Sequence, residues 1–261
     1  MRISIVGCGF VGSAVANGFT HKDNELQLID PKLDTKVSDV KSFKPDLTFV
    51  CVPTPTLNGR VDRSIVDTVA DELAEINSGI IVVKSTMTPD VAFDICYSRR
   101  FVYNPEFLTQ DNANYDFVNP QFHVFGGEYD KCKWVSNAYI NNSSVQPCTT
   151  YYMSIREASM VKYTINSFLA TKVTWFNQLR DLCDSSGMDY DYIRDVVTTD
   201  KRIGSSHTKV PGTDGRRGFG GACFPKDTRA LLSFASDNQT DLSLLNEAVS
   251  FNSINYRYDD I

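Results

Sequence analysis

Residues 2–12 read RISIVGCGFVG. Ile3 to Val6 is a short β-rich run, and Phe10 to about Thr20 has helical character. Gly7, Gly9 and Gly12 between them fall at the spacing G-x-G-x-x-G. Alone that spacing is weak. Here it has a strand before it, a helix after it and an acidic residue, Asp30, at the end of the next strand, Leu26 to Ile29. Gly7 permits the turn, Gly9 lets a pyrophosphate come close, and Gly12 lets helix pack on strand. The N–H groups at Phe10 and Val11 open the helix and offer donors to phosphate. Asp30 would accept hydrogen bonds from ribose hydroxyls and repel a 2′-phosphate, favouring NAD over NADP, with Lys32 weakening that preference slightly. FAD and a ligand-free glycine turn remain the alternatives.

Strand and helix signals continue to alternate outward from this motif, which indicates a parallel α/β sheet. Leu47 to Val52 is a strand without polar alternation, as expected of a sheet covered on both faces. Asp62 caps a helix running to about Ile76, Ile80 to Val83 is a strand, and Thr88-Pro89 starts a helix. Phe101 to Tyr103 and Phe122 to Phe125 are later strands. Polar groups gather at presumed strand ends, where open α/β sheets bind ligands. They are Thr54 and Pro55 in Val52-Pro-Thr-Pro55, Thr86 in Lys84-Ser-Thr86, and Glu106 in Asn104-Pro-Glu106. Each is also an ordinary turn composition.

The pattern changes near Thr149. Ser154-Ile-Arg-Glu157 fits a capping box. Ala158, Val161, Ile165, Phe168, Lys172, Phe176 and Leu179 then step by three and four, apolar except for Lys172. With Gly187 as the stop, one helix of about 50 Å follows. Such a length suits a spine joining domains or subunits, so a homodimer is expected. Lys162 and Asn166 share one face of this helix, either as a solvated stripe or as partly buried donors able to stabilise an alkoxide. A shorter helix at about Tyr190–Thr198, a glycine-laden loop from Gly204 to Gly221 and two final helices complete the chain. The expected architecture is α/β: a Rossmann-like doubly wound parallel sheet, residues 1–150, binding NAD. An all-helical domain, residues 151–261, follows with the spine helix.

Residues 218–227 read GFGGACFPKD. Gly218, Phe219, Gly220 and Gly221 allow close approach of backbone to a ligand. Pro225 suits the first turn of a helix. Cys223 then stands just before a helix N-terminus, where unpaired N–H groups favour the thiolate. Asp227 returns toward it one turn on. A buried structural thiol is the bland reading; the glycine and proline context favours a nucleophile.

Composition bounds the function. The 261 residues carry 26 basic and 32 acidic side chains, a net charge of −6, which argues against a nucleic-acid partner. No apolar run approaches membrane-spanning length. The seven cysteines are an odd number with no C-x-x-C pair, and His21, His123 and His207 are isolated. A structural metal site and a complete disulfide framework are therefore not expected, and a reducing, cytoplasmic location is.

Together the segments VGCGFVG, CVPTP, KSTMTP, NPEFL, MVKYTINSFLATKV, RIG and GFGGACFPKD resemble the UDP-glucose/GDP-mannose dehydrogenase family, in its order and roughly its spacing. The likeness covers nearly the whole chain and is nearest to the UDP-glucose-oxidising members. It implies a nucleotide-sugar substrate whose C6 alcohol becomes a carboxylate in two NAD-dependent steps, UDP-glucose giving UDP-glucuronate. It implies Cys223 as the thiohemiacetal- and thioester-forming nucleophile, with Lys162 and Asn166 stabilising oxyanions. Asp227 would assist proton transfer, Thr86 would hold water or cofactor, and Glu106 and Lys226 would stand near the cofactor. Arg202 and Gly218–Gly221 would contact substrate. Two departures stand out. The family's acid four positions after Glu106 is Gln110 here, with Asp111 beside it. The family also continues into a third, nucleotide-gripping domain, whereas this chain stops after a segment resembling the end of the central one, as a short form lacking that domain would. A non-catalytic NAD- or nucleotide-sugar-binding protein and a single-step β-hydroxyacid-type dehydrogenase are the competing expectations.

Overall fold

The computed structural model describes residues 1–20, 23–76, 78–109 and 111–258. Its chain divides into two compact units, Met1–Pro55 with Val61–Lys162, and Thr56–Arg60 with Tyr163–Ile261. The dividing point lies inside the long helix, beyond the 150/151 boundary expected from sequence.

In the first unit the sheet strands are β1 (Arg2–Val6), β2 (Glu25–Ile29), β3 (Leu47–Val50), β6 (Ile80–Val83), β7 (Val102–Tyr103), β8 (Phe122–Gly126) and β9 (Thr149–Met153); β4 (Thr56–Leu57) and β5 (Arg60–Val61), which fall with the second unit except for Val61, form a separate ribbon. The sheet order is β2-β1-β3-β6-β7-β8-β9. It is parallel except where β8 runs antiparallel to β7. The helices are α1 (Phe10–Phe19), α2 (Val40–Phe43), α3 (Ser64–Ala74), α4 (Pro89–Tyr97), α5 (Ala113–Val118) and α6 (Tyr129–Asn142). Successive strand side chains point to opposite faces. Ile5, Phe49, Val82 and Val102 enter one core, and Val6, Val50, Val83 and Tyr103 enter the other. This two-sided burial explains the unbroken apolar run of β6 and the full burial of β3, whose one polar residue, Thr48, donates its hydroxyl to Ser78 O. Because β1, β3, β6 and β7 are parallel, Gly7, Val52–Pro55, Lys84–Thr86 and Asn104–Glu106 all emerge at one edge.

The sequence reading gave no strand at β9 and no helix at α6. β9 is Thr-Thr-Tyr-Tyr-Met, and it pairs with β8 from Phe122↔Thr149 to Gly126↔Met153. In α6 the apolar positions are interrupted by Lys131, Lys133, Asn137 and Asn141, so periodicity gave little signal.

The helix α7 spans Ile155–Ser185. Its capping box is formed in both directions: Glu157 N–H donates to Ser154 Oγ at 3.3 Å, and Ser154 N–H donates to Glu157 Oε2 at 2.9 Å. Gly187, at φ +68°, follows its end. The second unit contains the later part of α7 with α8 (Tyr190–Val197), α9 (Phe224–Asp237) and α10 (Ser243–Asn255). One correction concerns the apolar stripe of α7: Phe176 is buried, but Phe168 is 68% exposed.

Candidate active site

In the first unit, the end of β1 and the start of α1 are fixed by main chain. Gly7 N–H donates to Ile29 O at 2.8 Å, and Cys51 N–H donates to Val6 O at 2.7 Å. Gly7 has φ +90°, and a Cβ there would stand 2.7 Å from Cys51 O. A Cβ at Gly12 would stand 1.8 Å from Gly7 O, so only glycine lets the helix start this close to the loop. At Gly9 nothing lies within 4 Å of the Cβ position. That space, beside a helix start with no side-chain cap and no acid in its first turn, leaves N–H donors for a phosphate. Asp30 ends β2 as expected. Its Oδ2 accepts from Cys8 N–H at 2.8 Å and its Oδ1 from Lys32 N–H at 2.9 Å. These N–H groups, Lys32 first, hold the carboxyl below its usual range and tie it to the glycine loop. Phe10 is partly exposed and Val11 half-buried at the head of α1. The residues therefore fit a dinucleotide.

The neighbouring strand-end loops are laced together. Thr54 Oγ1 donates to Thr86 O at 2.6 Å and Ser85 Oγ to Val52 O at 2.7 Å. Pro55, the last residue before the ribbon, follows Thr54 out of this loop. Glu106 and Lys162 are both buried and meet at 3.1 Å, Lys162 Nζ donating to Glu106 Oε1. Leu108 N–H donates to Glu106 Oε2 at 2.8 Å. Burial alone would raise the Glu106 carboxyl. The Lys162 ammonium, the Leu108 N–H and Lys84 outweigh it and hold the carboxyl below its ordinary value. Lys84 is the hidden brace of this centre. Its Nζ donates to Asn104 Oδ1 at 2.8 Å and Asn104 O at 3.2 Å, and Tyr139 OH donates to the same Oδ1 at 2.8 Å. Asn104 Nδ2 in turn donates to Val124 O at 2.8 Å. The turn carrying Glu106 is thus fixed two residues upstream. Burial pushes the Lys84 ammonium down to about 8, partly offset by Cys51 and Glu106.

In the second unit, Cys223 stands at the N-cap position of α9, with Pro225 in its first turn. Among the described residues it is the only exposed cysteine, and all seven are reduced thiols. Asp227 is buried, and its backbone N–H donates to Cys223 O at 2.8 Å. Asn166 Nδ2 donates to Asp227 Oδ2 at 2.6 Å, and Lys226 Nζ pairs with Asp227 Oδ1 at 2.5 Å. Lys226 O also accepts from Thr56 Oγ1 at 3.1 Å. Arg202 is 89% exposed at its side chain and pairs with Asp200 at 2.6 Å. Gly218 and Phe219 are buried, Gly220 is half-buried, and Gly221 is exposed at φ +77°. Asp111 is exposed, and Gln110 lies outside the described residues.

The model of the UDP-glucose/GDP-mannose dehydrogenase family NAD binding domain matches residues 32–142, and that of the family's central domain matches residues 156–254. This chain belongs to the UDP-glucose/GDP-mannose dehydrogenase family. NAD is its cofactor. UDP-glucose 6-dehydrogenase AglM of Haloferax volcanii is 28% identical over 97% of this chain and 69% of its own length. A UDP-glucose dehydrogenase structure from Pyrobaculum islandicum superposes with a TM-score of 0.81 at 25% identity, covering 97% of this chain and 68% of the other. A ternary complex of GDP-mannose dehydrogenase from Pseudomonas aeruginosa gives 0.71 at 25% identity, covering 97% and 69%.

The NAD-domain match begins beyond Gly7–Gly12 and Asp30, so those residues rest on geometry. Thr54, Thr86 and Glu106 fall inside it; Lys162, Asn166, Cys223 and Asp227 fall in the central-domain match. Sequence reasoning did not find Tyr139, Asn177, Asn252 or Arg257, which brace the loops by side chain, nor the anchoring role of Lys172. The last interrupts an apolar stripe, which was its signal. Its Nζ donates to Ile203 O at 2.8 Å and Gly204 O at 3.2 Å, holding the loop that carries Arg202.

Proposed function

We propose that this chain oxidises the C6 alcohol of a nucleotide sugar to the carboxylate, with UDP-glucose as substrate and Cys223 as covalent nucleophile. The observation that carries this reading is the exposed thiol at the start of α9, one turn before a buried Asp227 held by Asn166 and Lys226. Family membership and the UDP-glucose-oxidising relatives support the substrate.

Gly7, Gly9, Gly12 and the N–H groups at Phe10 and Val11 hold the pyrophosphate, and Asp30 the ribose hydroxyls; Thr54, Pro55 and Lys226 complete the cofactor contacts. Bound NAD supplies the hydride acceptor, twice per sugar. Lys162 and Asn166 stabilise negative charge on the substrate oxygen as its proton departs. The Cys223 sulfur adds to the aldehyde carbon, making a thiohemiacetal whose oxidation leaves a thioester. Asp227 helps to deprotonate the water that cleaves the thioester to carboxylate and returns the thiol, and Thr86 holds water or the cofactor at its own strand end. Glu106 keeps a buried anion against Lys162. Arg202 and the Gly220–Gly221 backbone contact substrate; Gly218 and Phe219, expected to join them, are buried with their N–H and carbonyl groups taken by Asn177, Asn252 and Arg257.

Incubation with UDP-glucose and NAD is expected to release two NADH per sugar. Cys223→Ser is expected to reduce complete turnover by about 10³-fold or more while NAD affinity stays within about twofold. NAD binding without turnover of any nucleotide sugar, or full two-step oxidation by Cys223→Ser, would overturn the reading.

The protein works as a homodimer in a reducing, cytoplasmic setting. Phe168, Trp175 and Leu182 recur every seventh residue along α7 and are 68%, 62% and 55% exposed, an apolar seam of coiled-coil spacing. Sedimentation should give a dimer at micromolar concentration, and Trp175→Glu a monomer; monomer for both would remove the proposal. No described helix is long and apolar enough to cross a membrane.

A further inference from the structure

The segment before the thiol has no regular structure, yet its backbone is held by side chains from distant parts of the second unit. Gly218 N–H donates to Asn177 Oδ1 at 3.0 Å. Phe219 N–H donates to Asn252 Oδ1 at 2.8 Å, and Asn252 Nδ2 donates to Phe219 O at 2.9 Å. Arg257 donates from Nε to Arg217 O at 2.7 Å and from Nη2 to Gly218 O at 3.2 Å, while pairing with Asp214 at 2.6 Å. Both N–H groups and both carbonyls of Gly218–Phe219 are therefore taken by side chains. The primary amide of Asn252 acts as one residue of a β-ladder would, donating and accepting on the same partner.

We infer that Asn252, supported by Asn177 and Arg257, is a positioning residue for Cys223, fixing the Gly218–Phe219 backbone so that only a short glycine link separates a rigid anchor from the thiol. The inference rests on the reading of Cys223 as nucleophile.

Burial changes sharply along this segment. Gly218 and Phe219 are buried, whereas Gly221, Ala222 and Cys223 are exposed. On the far side of the link α9 is anchored by buried Asp227, Thr228, Ala230 and Leu231. The Phe219 and Phe224 rings meet edge to face at 6.3 Å, closing the base of the loop that carries the thiol. The clamp also explains Gly218. At φ +71° its Cβ would lie 2.3 Å from Asn252 Oδ1 and 2.6 Å from Tyr256 Cβ. A nucleophile needs placement to a fraction of an ångström, and a shift of about 1 Å can lower rate 10²-fold. Exposed backbone between two glycines does not supply such placement by itself. An anchor four residues upstream and a helix immediately downstream do.

The test measures Cys223 alkylation by iodoacetamide, read by peptide mass spectrometry, together with kcat on UDP-glucose and NAD. Asn252→Leu removes the clamp. Asn252→Asp keeps the acceptor for Phe219 N–H and loses the donor to Phe219 O at nearly unchanged shape. Ile254→Ala, exposed on the same helix, is the control. For both Asn252 variants the expected result is Cys223 alkylation faster by severalfold and kcat lower by about 10²-fold. KM for NAD should stay within twofold and Cys183, fully buried, should remain protected. Unchanged alkylation overturns the inference whatever kcat does. Exposure of Cys183 in both variants also overturns it, because the clamp then holds the unit together rather than placing the thiol. Should Cys223→Ser keep full activity, the functional reading falls, while the alkylation rates still report on the clamp.

Discussion

The two glycine loops of this chain do comparable work by different means. Gly7–Gly12 is held by main chain: strand pairing continues into it through Gly7 N–H to Ile29 O and Cys51 N–H to Val6 O. Gly218–Gly221 has no strand beside it and is held by amide and guanidinium side chains from Asn177, Asn252 and Arg257. A loop fixed by sheet geometry tolerates change in surrounding side chains, since its partners are backbone atoms. A loop fixed by side chains can be released by one substitution. The polar centres differ in the same sense. The sheet unit buries charge, with Lys84, Glu106 and Lys162 all inside. The clamp of the helical unit relies on the neutral amides of Asn177 and Asn252 and on the Arg257 guanidinium.

The largest effect that sharpens this contrast comes from Lys84. Its ammonium is fully buried with a value near 8, against an ordinary 10.5. Below pH 8 the lysine is charged in both folded and unfolded chains, so the folded state bears the whole burial penalty. Between 8 and 10.5 the folded chain releases the proton first, binds fewer protons than the unfolded chain, and gains stability as pH rises. The stability of wild type minus that of Lys84→Met should therefore climb by about 3 kcal/mol between pH 7 and 11. Urea titrations with reductant measure it. The difference is needed because the Cys51 and Cys96 thiols, pushed up by desolvation, act in the opposite sense. The same subtraction for Asn252→Leu should be flat with pH. A flat Lys84 curve, or a sloping Asn252 one, would erase the distinction between the two units.

What the sequence disclosed follows this division. The first loop was legible because its requirements lie within about thirty residues: a strand, three glycines, a helix and Asp30. The capping box at Ser154 and Glu157 was legible for the same local reason. Cys223, Asp227 and the Lys162–Asn166 pair could be named because residue type and spacing along a helix carry their chemistry. The braces could not. Asn177 and Asn252 stand far in sequence from the segment they hold, and an asparagine inside a helix reads as a side chain turned to water until the fold gives it a partner. Lys84 was noticed at a strand end, but nothing in Lys-Ser-Thr shows that its ammonium grips Asn104 and thereby sets Glu106. Strand β9 was missed although Thr and Tyr favour strands, because its exposed and half-buried positions give no apolar face to read.

One substitution made in both loops isolates the difference at smaller scale. At Gly218 an alanine must adopt φ +71° and press its Cβ against Asn252 and Tyr256. Strain and crowding together should cost about 2 kcal/mol of stability. At Gly9 the backbone has φ −76°, which alanine adopts freely, and nothing lies within 4 Å of its Cβ. Gly9→Ala should therefore leave urea unfolding of the free protein within about 0.5 kcal/mol of wild type. Its methyl group would instead occupy space reserved for pyrophosphate, so calorimetry should show NAD affinity lower by about tenfold. Gly9 would then be a glycine kept for the ligand and Gly218 one kept for the clamp. Loss of stability at Gly9 with unchanged NAD affinity would reverse that assignment, because the open space beside α1 would then belong to packing rather than to the cofactor.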